Sequence, residues 1–252
     1  MVEENPEVLA PKPPSRTPEI FLKEPWEKEV DGLHQAMHFI QQKARGIDNA
    51  GLNREDLLRI HKFVMNDPFN PEKTGVLRTV PVIVRGRLGD QVRKAAFEPA
   101  DTHFLSEYFN EFASELEEGT TELSSRTTTE DVIDLASWVH KRFIEIHPFE
   151  DGNGRTARLM VDFIFRKARL PYIRSWGAVR HEYDEVVYRI YSENNLNLLK
   201  RFLAQKLVER LREIESDRSG GIWKEEFANY IKAKKQETER YLVSLREVPD
   251  AS

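Results

Sequence analysis

His147 to Arg158 reads HPFEDGNGRTAR, and the residues on either side of it repeat at helical spacing. Upstream, Val132, Ala136, Val139, Phe143 and Ile146 share one face, and downstream Leu159, Met160, Phe163 and Ile164 continue a second helix that begins inside the motif. The stretch is therefore a loop joining two apolar-faced helices. Pro148 disfavours helical geometry at His147. Gly152 and Gly154 bracket Asn153 and permit positive φ and close backbone approach. Successive N–H groups followed by a helix N-terminus make an anion cradle. Arg155 and Arg158, three apart, are neighbours on that helix, where they repel unless an anion lies between them; a phosphate chain can be gripped bidentately there. An imidazole and an acidic side chain complete the set. Proton acceptor, cation holder and phosphate donors are what a site handling a nucleoside triphosphate needs.

Working outward, helical periods recur. Val30, Leu33, Met37 and Ile40 define one helix from Glu29, and Leu57, His61 and Val64 a second with Asn53 as its N-cap. Leu105, Phe109, Phe112 and Leu116 mark a third near residues 101–117, and Thr129 is the expected N-cap of the helix that leads into the motif. Further helices are expected around 181–191, 196–215 and 222–246, the last with an apolar stripe of Trp223, Phe227, Tyr230, Tyr241 and Leu245. One stretch departs from the helical rule. Leu77 to Val84, LRTVPVIV, is β-branched and alternating, which predicts a strand; Pro81 removes a ladder donor and confines it to an edge or a hairpin arm. The basic turn after it, RGRLGDQVRK, suits a hairpin. The expected fold class is all-α with one β-hairpin.

At 252 residues the chain can bury a substantial core. Its 39% hydrophobic and 32% charged content is that of an ordinary globular chain, and the net charge of −5 gives no electrostatic case for nucleic acid or an anionic membrane. Cysteine is absent, which excludes disulfides, thiolate metal sites and a cysteine nucleophile. This suits a cytoplasmic location, with a secreted effector as the alternative. The proline-rich N-terminus has no apolar signal region and reads as a flexible tail. The expected organisation is a tail over 1–27, a main domain over 28–215 and a helical extension over 216–252 that packs on the core.

The twelve-residue motif resembles the signature of the Fic family, HxFx(D/E)GNGRxxR, at every fixed position. The likeness extends to TGVLRTVPVIVRG (Thr74 to Gly86), similar to the family's flap, to EVDGLHQAMHFI and LLRIHKFVM before it, and to RHEYDEVVYRIY (Arg180 to Tyr191) after the motif. The resemblance implies an all-α core whose central helices are joined by the motif loop beneath a β-hairpin flap. It implies His147 as the base that deprotonates a target hydroxyl and Asp151 as the Mg²⁺ ligand. Gly152, Asn153 and Gly154 would hold the α- and β-phosphates, and Arg155 and Arg158 the distal ones. Tyr183 is the candidate adenine contact, although tyrosines at this spacing are equally often core residues. Thr79, Val80, Pro81, Val82, Ile83 and Val84 are the flap residues that would bind the target, and Phe149 is expected to anchor the loop.

His34, His61 and His140 read as structural or surface residues; His34 with His38 is spaced for zinc but has no third ligand. An inhibitory (S/T)xxxE(G/N) helix, which many relatives carry, is not recognisable at the family's positions. SELEEG (Ser114 to Gly119) matches literally but lies on the helix between flap and motif, where the family does not place the inhibitor, and SRTPEI (Ser15 to Ile20) lacks the closing residue. Restraint is left to an antitoxin-like partner, to homo-oligomerisation or to an inhibitory sequence of another form. The resulting expectation is a protein adenylyltransferase that uses Mg²⁺ and ATP, with target proteins bearing a hydroxyl as partners. The alternatives are another nucleotidyl or phosphocholine transfer by the same site, or a catalytically silent binding module.

Overall fold

The computed structural model describes residues 25–46, 50–66, 71–88, 91–94, 97–173, 180–217 and 225–247. Along them run α1 (Pro25–Ala44), α2 (Arg54–Met65), a 3₁₀ turn (Pro71–Lys73), β1 (Arg85–Leu88), β2 (Gln91–Lys94), α3 (Leu105–Thr121), α4 (Thr129–Ile146), α5 (Asn153–Lys167), α6 (Arg180–Ser192), α7 (Asn197–Ser216) and α8 (Glu225–Glu247). None of these helices is long and apolar enough to cross a membrane. Most of the expected N-terminal tail lies outside the described residues, as does Trp223.

Local chemistry sets the helix starts. Asn53 caps α2 in a capping box: its side chain accepts from the Asp56 N–H at 3.0 Å, and the Asp56 carboxylate accepts from the Asn53 N–H at 3.1 Å. For α4 the cap is Thr128 rather than Thr129; its hydroxyl accepts from the Asp131 N–H at 3.1 Å, and Thr129 is the first helical residue. The three consecutive threonines offer the same side chain, and the cap is the one three residues before Asp131.

The strand expected over Leu77 to Val84 is not formed; the antiparallel pair begins at the next residue, with Arg85 opposite Lys94 and Leu88 opposite Gln91. Two features of residues 77–84 explain the shift. Pro81 has no N–H to give a ladder, and the Arg78 N–H is committed to the Pro148 carbonyl at 2.9 Å.

The centre of the molecule is the α4–α5 hairpin, closed through residues 147–152. Phe143, Phe163 and Phe165 are fully buried along it, with Phe109 and Phe112 arriving from α3. α1 packs against α2 and α5, α7 packs against α4, and α6 connects α7 to β1. α8 packs on α7 and α4. Its Glu237 carboxylate accepts from the Thr129 N–H at the α4 N-terminus, where the helix dipole favours negative charge. The Tyr241 hydroxyl donates to Asp134, also on α4. On the α8 stripe Tyr241 and Leu245 are buried, whereas Phe227 is exposed.

Candidate active site

His147 is the C-cap of α4 and sits in the left-handed region, φ 49° and ψ 60°. Helices often end this way, but on glycine or asparagine; α2 does so on Asn66. A residue with a Cβ gives up roughly 1–2 kcal/mol there. Its N–H donates to the Phe143 carbonyl at 2.9 Å, and its Nδ1 lies 3.2 Å from the Ile144 carbonyl. A carbonyl can only accept, so Nδ1 carries the proton and Nε2 is the acceptor nitrogen. Burial, reinforced by the nearby Arg78 charge and opposed by the Ile144 bond and Asp151, lowers the His147 pKa to about 4. The ring is neutral at pH 7.

After His147 the loop folds onto Phe149, which is fully buried. His61 of α2 stacks flat on that ring, with centroids 3.6 Å apart and planes 8° from parallel. Phe109 and Phe143 close its other sides. Both His61 nitrogens are committed. Nδ1 accepts from the Gly75 N–H at 2.8 Å, which leaves Nε2 to donate to the Asp151 carbonyl at 3.0 Å. Burial lowers the His61 pKa to about 4, as this neutral tautomer requires. His61 thus links the motif loop to the turn before residues 76–84. Of the two roles the sequence left open, structural or surface, the buried His61 takes the structural one, beneath the candidate site.

Asn153 is buried, and its amide braces the loop. Oδ1 accepts from the Phe149 N–H at 3.1 Å, and Nδ2 donates to the Phe149 carbonyl at 2.8 Å. What Asn153 offers outward is backbone: the first turn of α5 leaves the N–H groups of Asn153, Gly154 and Arg155 without helical acceptors. Gly152 has φ +77°, a conformation that favours glycine, and a Cβ there would also press on Met65 Sδ at 2.8 Å and the His61 ring at 3.2 Å. A Cβ at Gly154 would lie 3.4 Å from Arg158 Nη1, which places that guanidinium back across the helix N-terminus.

The two arginines are held differently. Arg155 reaches Glu29 of α1 at 2.8 Å and Asp151 at 3.2 Å. Arg158 lies over the Tyr183 ring, 5.1 Å from its centroid, with no ion pair among the described residues. Tyr183 is buried, and its hydroxyl is bonded to His140 Nε2 at 2.6 Å. Tyr183 and His140 therefore form a support under Arg158 from α6 and α4. The Asp151 carboxylate is exposed; Oδ1 accepts from the Gly152 N–H at 2.6 Å. No cluster of three metal-ligating side chains exists among the described residues, so a cation here would have Asp151 as its protein carboxylate.

Residues 79–84, which follow Arg78, pair with no strand among the described residues. Val80 is 48% and Ile83 71% exposed, Thr79 and Pro81 are exposed, and Val82 and Val84 are half-buried. Arg78, just before them, is only 4% exposed and donates to carbonyls of the motif loop. The reading of the sequence gave Arg78 no role; the available signal was a cation inside an apolar, β-branched run. Glu29 was likewise unassigned, and nothing in its local sequence marks it.

Residues 51–165 match the family model described as Fic/DOC family. Over 155 residues the chain is 28% identical to Protein adenylyltransferase fic-1 of Caenorhabditis elegans, covering 62% of this chain and 27% of that protein. It is 29% identical over 181 residues to Protein adenylyltransferase Fic of Nematostella vectensis, covering 70% and 37%. The match thus spans about a third of these relatives' length. Among solved structures, Fic-1 from C. elegans superposes with a TM-score of 0.61 at 23% identity, covering 77% of this chain and 52% of that one. A Fic domain containing signaling protein from Bacteroides thetaiotaomicron does so with a TM-score of 0.57 at 20% identity, covering 84% and 72%. These structures share the helical fold described above.

Proposed function

We propose that this chain is a protein adenylyltransferase of Fic/DOC type that moves AMP from ATP to a Ser, Thr or Tyr hydroxyl of another protein. The observation that carries the reading is the state of His147. It is neutral, with Nδ1–H on the Ile144 carbonyl and Nε2 left as acceptor, on the loop that leads into the free N–H groups of α5. Nε2 takes the hydroxyl proton, the hydroxyl oxygen forms a bond to the α-phosphorus, and the α–β bridging bond breaks to release pyrophosphate. The backbone at Gly152, Asn153 and Gly154, with Arg155 and Arg158, receives the phosphate oxygens. The stacking of Arg158 on Tyr183, itself bonded to His140, suits this role, and Arg155 would have to leave Glu29 or share it.

A divalent cation suits the donor set. Mg²⁺ is commonly held by one or two carboxylates together with substrate phosphates and water, and Asp151 supplies one exposed carboxylate. When bound, Mg²⁺ would neutralise phosphate charge.

The test is parallel incubation with α-labelled and γ-labelled ATP and candidate protein acceptors, self-labelling included. Transfer of the α label alone agrees with the proposal. Transfer of the γ label would mean a kinase, and transfer of neither would mean a binding module.

A further inference from the structure

We infer that Arg78 is a positioning residue for the proposed transfer: its buried guanidinium and its backbone N–H clamp the left-handed turn at His147 and Pro148 and so hold the imidazole in its working orientation. The inference rests on the reading of His147 as the base.

The geometry is specific to that turn. Arg78 Nε donates to the His147 carbonyl at 2.7 Å, Nη2 reaches the Ile146 carbonyl at 3.4 Å, and the Arg78 backbone N–H donates to the Pro148 carbonyl at 2.9 Å. One residue, 69 positions earlier in the chain, therefore contacts three consecutive carbonyls of the segment that carries the imidazole. The remaining guanidinium donors tie in two further segments, with Nη1 on Val80 at 3.1 Å and Nη2 on Ala100 at 2.5 Å. Every acceptor is a carbonyl. A buried cation costs free energy unless its donors are satisfied, and here the carbonyls at the α4 C-terminus, the negative end of its dipole, satisfy it.

The clamp answers a local conflict. The left-handed conformation is uncommon for a residue with a Cβ and persists only where the surroundings over-determine it. Within α4 the ties at His147 are its N–H to Phe143 and Nδ1 to Ile144. Both would survive small rotations of the following peptide. Fixing the carbonyls at 146, 147 and 148 from outside removes that freedom. Lysine cannot replace the arginine, because its donors radiate from one point and do not form a planar fork.

The experiment uses the full chain and the variants Arg78→Met and Arg78→Lys. Met keeps much of the stem but no donor; Lys keeps the charge without the fork. Two readings are taken: steady-state transfer from α-labelled ATP, and imidazole ¹⁵N NMR with pH titration. Both variants should lose on the order of 10–100-fold in kcat with KM for ATP little changed, as expected for a displaced catalytic group. In the spectra His147 should lose its fixed Nδ1–H tautomer in both. Its titration, near 4 in the parent, should rise in Arg78→Met, since of the charged groups acting on the ring only Asp151 then remains. His61 and His140, which titrate near 4 and 3, should stay in place and report an intact fold.

Unchanged kcat and an unchanged His147 tautomer in both variants would overturn the proposal. So would simultaneous movement of all three histidines in both, which would make Arg78 a staple of the whole fold. If the parent transfers no label while His147 alone responds to the substitutions, the clamp stands and the assigned reaction fails.

Discussion

Glu29 and Arg155 lie 126 residues apart in sequence and are bonded in the folded chain, carboxylate oxygen to guanidinium nitrogen at 2.8 Å. Glu29 comes from α1, and Arg155 is one of the two arginines of the motif. In the proposed reaction the carboxylate would compete with a phosphate oxygen for the guanidinium. Glu29 is half exposed, so the pair is worth about 0.2–1 kcal/mol. Glu29→Gln should therefore tighten ATP binding by roughly 1.5- to 5-fold, measured by calorimetry at fixed salt. Weaker binding in the variant would show that Glu29 supports the nucleotide site instead of competing for it.

His147→Ala should leave ATP affinity nearly intact and reduce transfer by about 10²–10⁴, because a general base acts on the barrier more than on the bound ground state. Parallel binding and single-turnover measurements separate the two. Near-normal transfer would remove His147 from the mechanism.

Asp151→Ala should lower activity through the cation, with partial recovery at high Mg²⁺ or Mn²⁺, since Asp151 is exposed and has no neighbouring cluster of ligands among the described residues. The control is a chelator titration of the unsubstituted chain. Activity that persists without any divalent ion contradicts the assignment.

Stability should fall in mild acid. His61 and His147 titrate near 4 and His140 near 3, each depressed first by burial, against 6.5 for the ordinary side chain. The unfolded chain then binds more protons between about pH 6.5 and 3. The stabilisation is complete above 6.5 and is lost as pH falls through that window. Urea midpoints at pH 7.5, 6 and 5 should decrease in that order, and His61→Gln should flatten the slope; a pH-independent midpoint would mean that the rings are not held neutral.

Residues 79–84 belong to no strand in the described structure, and Val80 and Ile83 among them are exposed. If an acceptor protein docks there by main-chain pairing, Ile83→Pro should impair its modification far more than ATP binding. Equal loss of both, in labelling and binding assays, would assign the segment to the fold or to the nucleotide.

The helices and the loop between α4 and α5 were readable from residue order because apolar period, caps and glycine conformational preference are local properties. Asn53, Gly152 and the face containing Phe143 do what their neighbours in sequence imply. The apolar alternation of residues 77–84 misled for a reason that is not local: the Arg78 N–H is taken by Pro148, and strand pairing begins at Arg85. The same holds for the inner parts of the candidate site. That Asn153 braces Phe149 required the fold of the loop, and that Tyr183 supports Arg158 required α6 to bring its ring to Arg158 of α5 and its hydroxyl to His140 of α4. Residue types and their spacing name the groups able to take a proton or grip a phosphate. Which carbonyls Arg78 satisfies, and which carboxylate meets Arg155, depends on contacts between segments distant in sequence, and only the tertiary structure brings those together.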